Sequence, residues 1–304
     1  MITLKSSELT AAELQNYLQY AIAPRPICLA STIDVEGHVN LSPFSFFNMF
    51  SINPPICVFS PSRRVRDNTT KHTLENIKLV PECVINIVNY DMVQQTSLSS
   101  VEYPKGTDEF VKSGLTPVES VLVKPPRVAQ SPVQLECIIK NIISLGEAAG
   151  SGNMVIAEVK LIHINPAILD ANQKIDQEKI DLVARLGGDW YCRVTKETLF
   201  KVTKPNRNIG IGVDALPVSI RQSSILTGND LGQLGNVESL PDETSINSYC
   251  TQNEELQKLL LSTKNNTILR REALHSLAKT LLITSNVEEA WKVLLADDEL
   301  NKED

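Results

Sequence analysis

Residues 24–62 read "PRPICLASTIDVEGHVNLSPFSFFNMFSINPPICVFSPS". Two of its segments, "PICLASTI" (26–33) and "PICVFS" (55–60), are short apolar runs rich in Ile, Val and Cys and opened by proline. Runs of that length and composition, bounded by turn residues, read as strands. The same texture recurs at "CVINIV" (83–88), "VQLECIIKNIISL" (133–145), "MVIAEVKLIHI" (154–164) and "WYCRV" (190–194). In residues 133–143, Val133, Leu135, Cys137, Ile139 and Ile143 share one face while Gln134, Glu136 and Lys140 fall on the other. That period of two predicts a strand with one buried side. Residues 39–50, "VNLSPFSFFNMF", set small hydroxyl residues and a proline among Phe44, Phe46 and Phe47. They fit either an aromatic core strand or a stretch offering backbone donors and aromatic edges to a flat heterocycle.

Thr10 and Glu13 stand at capping-box spacing before Leu14, Tyr17 and Leu18, which predicts a first helix. The 304 residues are 42% hydrophobic, enough for a sizeable core. The first twenty residues carry no apolar signal-like run, and no later run approaches the ~20 residues that span a bilayer. A soluble cytoplasmic protein without membrane contact is the expectation. The six cysteines show no C-x-x-C pair and mostly sit inside strand-like runs, so reduced, buried thiols are expected. His38, His72, His163 and His275 show no second ligand at metal spacing, and no metal site is expected.

Organisation changes near residue 205. Up to that point there are 20 basic and 21 acidic residues, and after it 9 and 15, so the net charge of -7 belongs mainly to the tail. Residues 1–205 read as a mainly β domain with short helices. Residues 206–250 are rich in Gly, Asn and Ser and read as an irregular connection. Amphipathic helices follow near 252–263, 267–282 and 287–297, the last opened by Asn286 with Glu289. Gly210, Gly212 and Ala215 in "GIGVDA" match a dinucleotide-binding pattern, but no strand precedes them and Pro217 stands where the phosphate-binding helix would run.

Residues 60–76, "SPSRRVRDNTTKHTLEN", concentrate Arg63, Arg64, Arg66, Lys71 and His72 among hydroxyls. A helix beginning near Thr69 or Thr70 would present unpaired backbone N–H groups beside these cations, an arrangement suited to an anion. Nucleic acid would require a broad basic face. One compact cluster fits a single small phosphate better, and no nucleic-acid partner is expected.

Together with "KHTLENI" (71–77), "SGLTPVES" (113–120), "VKPPRVAQSPVQLEC" (123–137) and "ARLGGDWYCRV" (184–194), the opening stretch resembles the flavin reductase family of FMN-binding split-barrel proteins, which includes flavoredoxin. The resemblance covers roughly residues 1–203. It implies an antiparallel Greek-key split β-barrel, here with a C-terminal α-helical extension, that forms a homodimer and binds FMN noncovalently. At matching positions it implies flavin contacts from Ser31, Thr32, Asn40, Ser42, Pro43, Phe44, Ser45, Phe46, Phe47, Ser60, Arg63, Arg64, Lys71, Thr73 and Asn76. Arg185 and Tyr191 join them, beside Gly187 and Gly188, whose small size would let backbone approach the cofactor. The family often has Lys-Asp-Thr where this chain has Lys71-His72-Thr73, and His72 would then add positive character near the phosphate.

No Ser-His-Asp or paired-carboxylate constellation can be assembled, so no catalytic side chain is expected and the flavin carries the chemistry. The function implied is transfer of electrons from NADH or NADPH, through FMN, to a second flavin, a metal complex or another small acceptor. A non-catalytic electron carrier with a helical interaction tail is the alternative. The leucine stripes of the tail, Leu256, Leu259 and Leu260 followed by Leu274, Leu277, Leu281 and Leu282, are expected to cover the barrel's outer surface or a partner subunit.

Overall fold

A computed structural model describes residues 1–205 and 209–300, residues 297–300 by backbone alone. The remaining positions of the expected tail lie outside the described residues. Contacts divide the chain into two compact units, Met1–Phe200 and Lys201 onward.

The first unit is built on strands β1 (Arg25–Pro26), β2 (Cys28–Ile33), β3 (Val39–Phe44), β4 (Phe47–Ile52), β5 (Pro55–Phe59) and β6 (Glu82–Ile87). These are followed by β7 (Pro117–Val118), β8 (Arg127–Val128), β9 (Val133–Ser144), β10 (Asn153–Ile164), β11 (Val183–Arg185) and β12 (Tyr191–Arg193). Helices α1 (Ala11–Ala21), α2 (His72–Leu79), α3 (Val93–Leu98) and α4 (Glu109–Ser113) punctuate them. All six runs read as strands from sequence are strands, and α1 opens on the Thr10–Glu13 capping box.

Seven strands form one antiparallel sheet in the order β3-β2-β6-β9-β10-β5-β4. The connectivity dictates how this sheet curls. β3 and β4 are its opposite edges, yet only Ser45 and Phe46 separate them in the chain. Three Cα steps span at most about 11 Å. The edges must therefore meet, which makes the sheet a barrel split between β3 and β4, at the Ser45–Phe46 link.

Inside the barrel pack Cys28, Ala30, Phe44, Cys57, Phe59, Cys83, Ile85 and Cys137, with Leu74 and Ile77 of α2 plugging it. The four core cysteines are free thiols. β2 is buried on both faces. Its outward Leu29 meets Leu41, Met92, Phe110 and Val128 in a second cluster.

The one-sided reading of β9 needs correction twice. Gln134 and Glu136 are buried, because residues 121–123 fold over that face and donate their N–H groups to the Glu136 carboxylate at 2.6–3.3 Å. A register shift against β10 between Ile139 and Asn141 then reverses the alternation, as one extra residue in a strand must. Ile142 therefore packs on the core while Ile143 is exposed. The hairpin turn after β2 also gathers Asp34, Glu36 and His38, whose ligand-capable atoms lie within 4.8 Å of one another, so His38 does have partners at ligand spacing.

The second unit is helical. α5 (Val218–Arg221), α6 (Gly228–Leu234) and α7 (Glu243–Gln252) occupy the stretch expected to be irregular. The missed signals were local caps: Thr227 forms a capping box with Asp230, and Asp242 caps Ser245. α8 (Glu254–Ser262), α9 (Thr267–Ile283) and α10 (Val287–Leu300) are the three expected helices. Their stripes are buried in the unit's own core, which corrects the expectation that they cover another surface. Leu256, Leu274 and Leu282 pack there with Leu234, Ile246 and Trp291. The Trp291 indole N–H donates to the Leu234 carbonyl at 3.1 Å.

The glycines of "GIGVDA" serve this packing. A Cβ on Gly210 would lie 2.6 Å from the Gly235 carbonyl oxygen, so two backbone segments meet where only glycine fits. Among the described residues no helix is long and apolar enough to cross a membrane.

Candidate functional site

The basic stretch ends in α2, which begins at His72 rather than at Thr69 or Thr70 because both threonines are committed to the loop before it. The Thr69 hydroxyl and N–H donate to Asp67 at 2.6 and 3.0 Å and hold its carboxyl at about 2. The Thr70 hydroxyl donates to Glu75 at 2.7 Å. Lys71 is the N-cap residue and supplies no side-chain cap, so the helix start turns backbone donors toward its surroundings.

Buried amide–hydroxyl bonds fix α2 to the barrel. Asn40 Nδ2 donates to Thr73 Oγ1 at 3.0 Å, and Asn76 Nδ2 to Thr32 Oγ1 at 3.2 Å. The Ser31 hydroxyl donates to the Pro126 carbonyl. Ser31, Thr32 and Asn76 thus lie behind the surface, the Thr32–Asn76 pair securing the helix and Ser31 the segment at Pro126, whereas Asn40 and Thr73 floor a cleft at the helix N-terminus.

That cleft has a volume of about 30 Å³ and brings Ser42, Arg64 and Lys71 together with Ser100 and Glu102. Arg64 Nε meets Glu102 Oε1 at 3.0 Å, and its Nη1 donates to Thr69 Oγ1 at 2.9 Å and to the Thr70 carbonyl. The Lys71 ammonium lies 5.8 Å from the Phe44 ring centroid. Burial, and then the neighbouring Arg64, push its pKa down against the opposing pull of Glu102. His72 is also held below the ordinary imidazole value, chiefly by burial. That favours its neutral form.

Arg63 and Arg64 diverge. Arg63 donates twice to Asn68, to Oδ1 and to the backbone oxygen, each at 2.6 Å. It lines a separate cavity of about 700 Å³ with Phe46, Leu14 and Leu18 of α1, and Ile22 just after that helix. Arg25 approaches the Phe46 ring there, 5.9 Å from its centroid.

A further cavity, of about 660 Å³, runs along Pro43, Phe44 and Ser45 and takes in Thr96, Arg185 and Tyr191. Ser100 lines both this cavity and the basic cleft. The Arg185 guanidinium stacks 4.6 Å from the Tyr191 ring and donates to the Trp190 carbonyl at 3.2 Å. Thr96 is buried, and its hydroxyl has no hydrogen-bond partner among the described residues.

The remaining expected residues serve the framework. Ser60 N–H donates to the Phe46 carbonyl at 2.9 Å, extending the β4–β5 ladder by one residue, and Phe47 packs on the barrel core. Gly187 makes room for the Tyr20 ring, which would lie 2.3 Å from an added Cβ. The close neighbour of these glycines is therefore a side chain of α1. Thr96, Ser100, Glu102 and the buried Glu109 were not singled out from sequence. The hydroxyl run Thr96–Ser100, close before an acidic residue, was the available signal.

The profile of the flavin reductase like domain matches residues 20–178. The chain belongs to the flavin reductase-like family. Nitrilotriacetate monooxygenase component B from Bacillus cereus is similar in structure, with a TM-score of 0.62 and 25% identity, over 66% of this chain and 98% of that one. So is a 2-nitrobenzoate 2-nitroreductase from Pseudomonas fluorescens, with a TM-score of 0.59 and 25% identity, over 66% of this chain and 96% of that one. A flavin-reductase-like chain with a split barrel domain from Shewanella frigidimarina gives 0.56 and 25%, over 65% and 95%. As a flavin reductase-like protein the chain carries the split barrel, and its C-terminal helical unit is an addition to it.

Proposed function

We propose that this protein is an FMN-dependent oxidoreductase that passes electrons from NADH or NADPH to a small acceptor. The observation that carries the reading is a pair of cavities along β3 that share Ser100 in their walls, the basic cleft at the start of α2 and the larger cavity along Pro43–Ser45. A phosphate monoester suits the cleft, where Lys71 is a partly buried cation whose charge lacks full compensation and the helix start carries no side-chain cap. A flat ring system suits the cavity. Its volume accommodates one, Tyr191 and Arg185 supply a stacked wall, and the unpartnered Thr96 hydroxyl offers a buried polar contact.

In this reading Arg64, Lys71 and the α2 backbone hold the phosphate, while Pro43, Phe44, Ser45, Arg185 and Tyr191 orient the ring. Bound FMN would supply hydride acceptance and electron release, and the protein's part is to bind, orient and shield it. A homodimer is supported by β4, an edge strand that exposes Met49 (61%), Phe50 (66%) and Ile52.

Steady-state oxidation of NADH and NADPH by the FMN-loaded protein, with free flavin and nitroaromatic acceptors, tests the proposal. Turnover with either reductant is expected. Tight FMN binding without turnover would make the protein a carrier instead.

A further inference from the structure

Glu102 lies in the basic cleft as an anion opposite the cations. Its Oε1 is 3.0 Å from Arg64 Nε and its Oε2 is 3.1 Å from Arg66 Nη2. The cleft is small and open to solvent, and Glu102 takes up the Arg64 Nε that an incoming phosphate would use.

Most of the walls are fixed. Asn40 and Thr73 are buried and bonded to each other. Glu109 is buried and accepts the Leu41 N–H at 3.0 Å. Glu102 differs: its side chain is 43% exposed, it belongs to the segment between α3 and α4, and guanidinium groups are what hold it. Arg66, one of those holders, is 76% exposed and able to follow it outward.

We infer that Glu102 sets the selectivity of the cleft: its carboxylate occupies Arg64 until a cofactor phosphate displaces it, so phosphate affinity is the difference between two ion pairs. The inference rests on the proposed phosphate role of the cleft. Removing the carboxylate's charge removes the competitor and also its repulsion of the incoming phosphate. Because the competing pair is partly exposed, the gain is modest, about three- to tenfold in Kd. A ligand without a phosphate is indifferent to Glu102.

The test compares wild type with Glu102→Gln in titrations of FMN and riboflavin, with circular dichroism confirming that both are folded. Glu102→Gln should bind FMN about three- to tenfold more tightly and riboflavin as the wild type does. As a second arm, inorganic phosphate should raise the thermal midpoint of the variant more than that of the wild type. Unchanged or weaker FMN binding by the variant overturns the inference, weaker binding meaning that Glu102 positions Arg64 for the phosphate. If wild type prefers FMN to riboflavin and the variant does not sharpen that preference, the inference alone fails. If wild type binds the two flavins equally, the phosphate role of the cleft fails and takes the inference with it.

Discussion

Replacing Lys71 with Met should weaken FMN binding without harming the fold. The ammonium is partly buried 5.8 Å from the Phe44 ring centroid, and burial and Arg64 lower its pKa. A base with a lowered folded pKa is protonated more readily in the unfolded chain, so its charge opposes folding at neutral pH. That penalty fades as pH rises through the folded pKa toward the unfolded value of about 10.4. Methionine has nearly the same length and no charge, and the flavin-free variant should be as stable as wild type or more so. For the cofactor, losing one charge-assisted bond costs roughly 1.5–3 kcal/mol, or about one to two decades in Kd. Fluorescence titration reads the affinity directly, and thermal melts give a second measure. At 100 times the wild-type Kd, FMN stabilises wild type by about 2.7 kcal/mol and a tenfold weaker variant by about 1.4 kcal/mol. Riboflavin affinity should not move. Unchanged FMN affinity, or equal losses for FMN and riboflavin with a lowered flavin-free melting point, would refute the placement of Lys71 against the phosphate.

Arg64→Ala should lower the preference for FMN over riboflavin about tenfold or more, whereas Arg63→Ala, which empties a different cavity, should change the two affinities alike; parallel titrations separate the cases. Glu136 is buried, yet its pKa is lowered, because N–H bonds from Val121, Leu122 and Val123 and the His163 contact outweigh the desolvation that would raise it. Its stabilising effect is therefore present above the unfolded value of about 4.3 and lost as pH falls through the folded one; Glu136→Gln should cost roughly 2–3 kcal/mol at pH 7 in urea melts and flatten the decline below about pH 4.5. Trp291→Ala should destabilise the helical unit by roughly 3–5 kcal/mol, read from its unfolding transition, and leave FMN affinity unchanged.

The central barrel strands were legible because they are apolar runs bounded by turn residues. β3 and β4 were not, because they form the two edges of the sheet and mix hydroxyls, proline and exposed aromatics, which carry no clean alternation. In residues 39–50 Phe44 packs in the core, as the core-strand reading expects, while Pro43 and Ser45 line a cavity. The shift between Ile139 and Asn141 was invisible to a strict two-residue period. The crowding of cations in residues 60–76 was readable from the sequence. Which arginine faces Lys71 was not, since that depends on Asn68 capturing Arg63 and on Glu102, distant in sequence, holding Arg64. The tail's helices were visible as stripes, but their mutual burial is a tertiary fact that periodicity cannot supply.

The most direct test of the whole account is a paired titration of the purified, flavin-free protein with FMN and riboflavin, followed by the visible absorbance of the bound flavin. Stoichiometric FMN binding, at least tenfold tighter than riboflavin and with the perturbed spectrum of an enclosed ring, is the expected result. Failure to take up FMN, or equal affinity for both flavins, would contradict it.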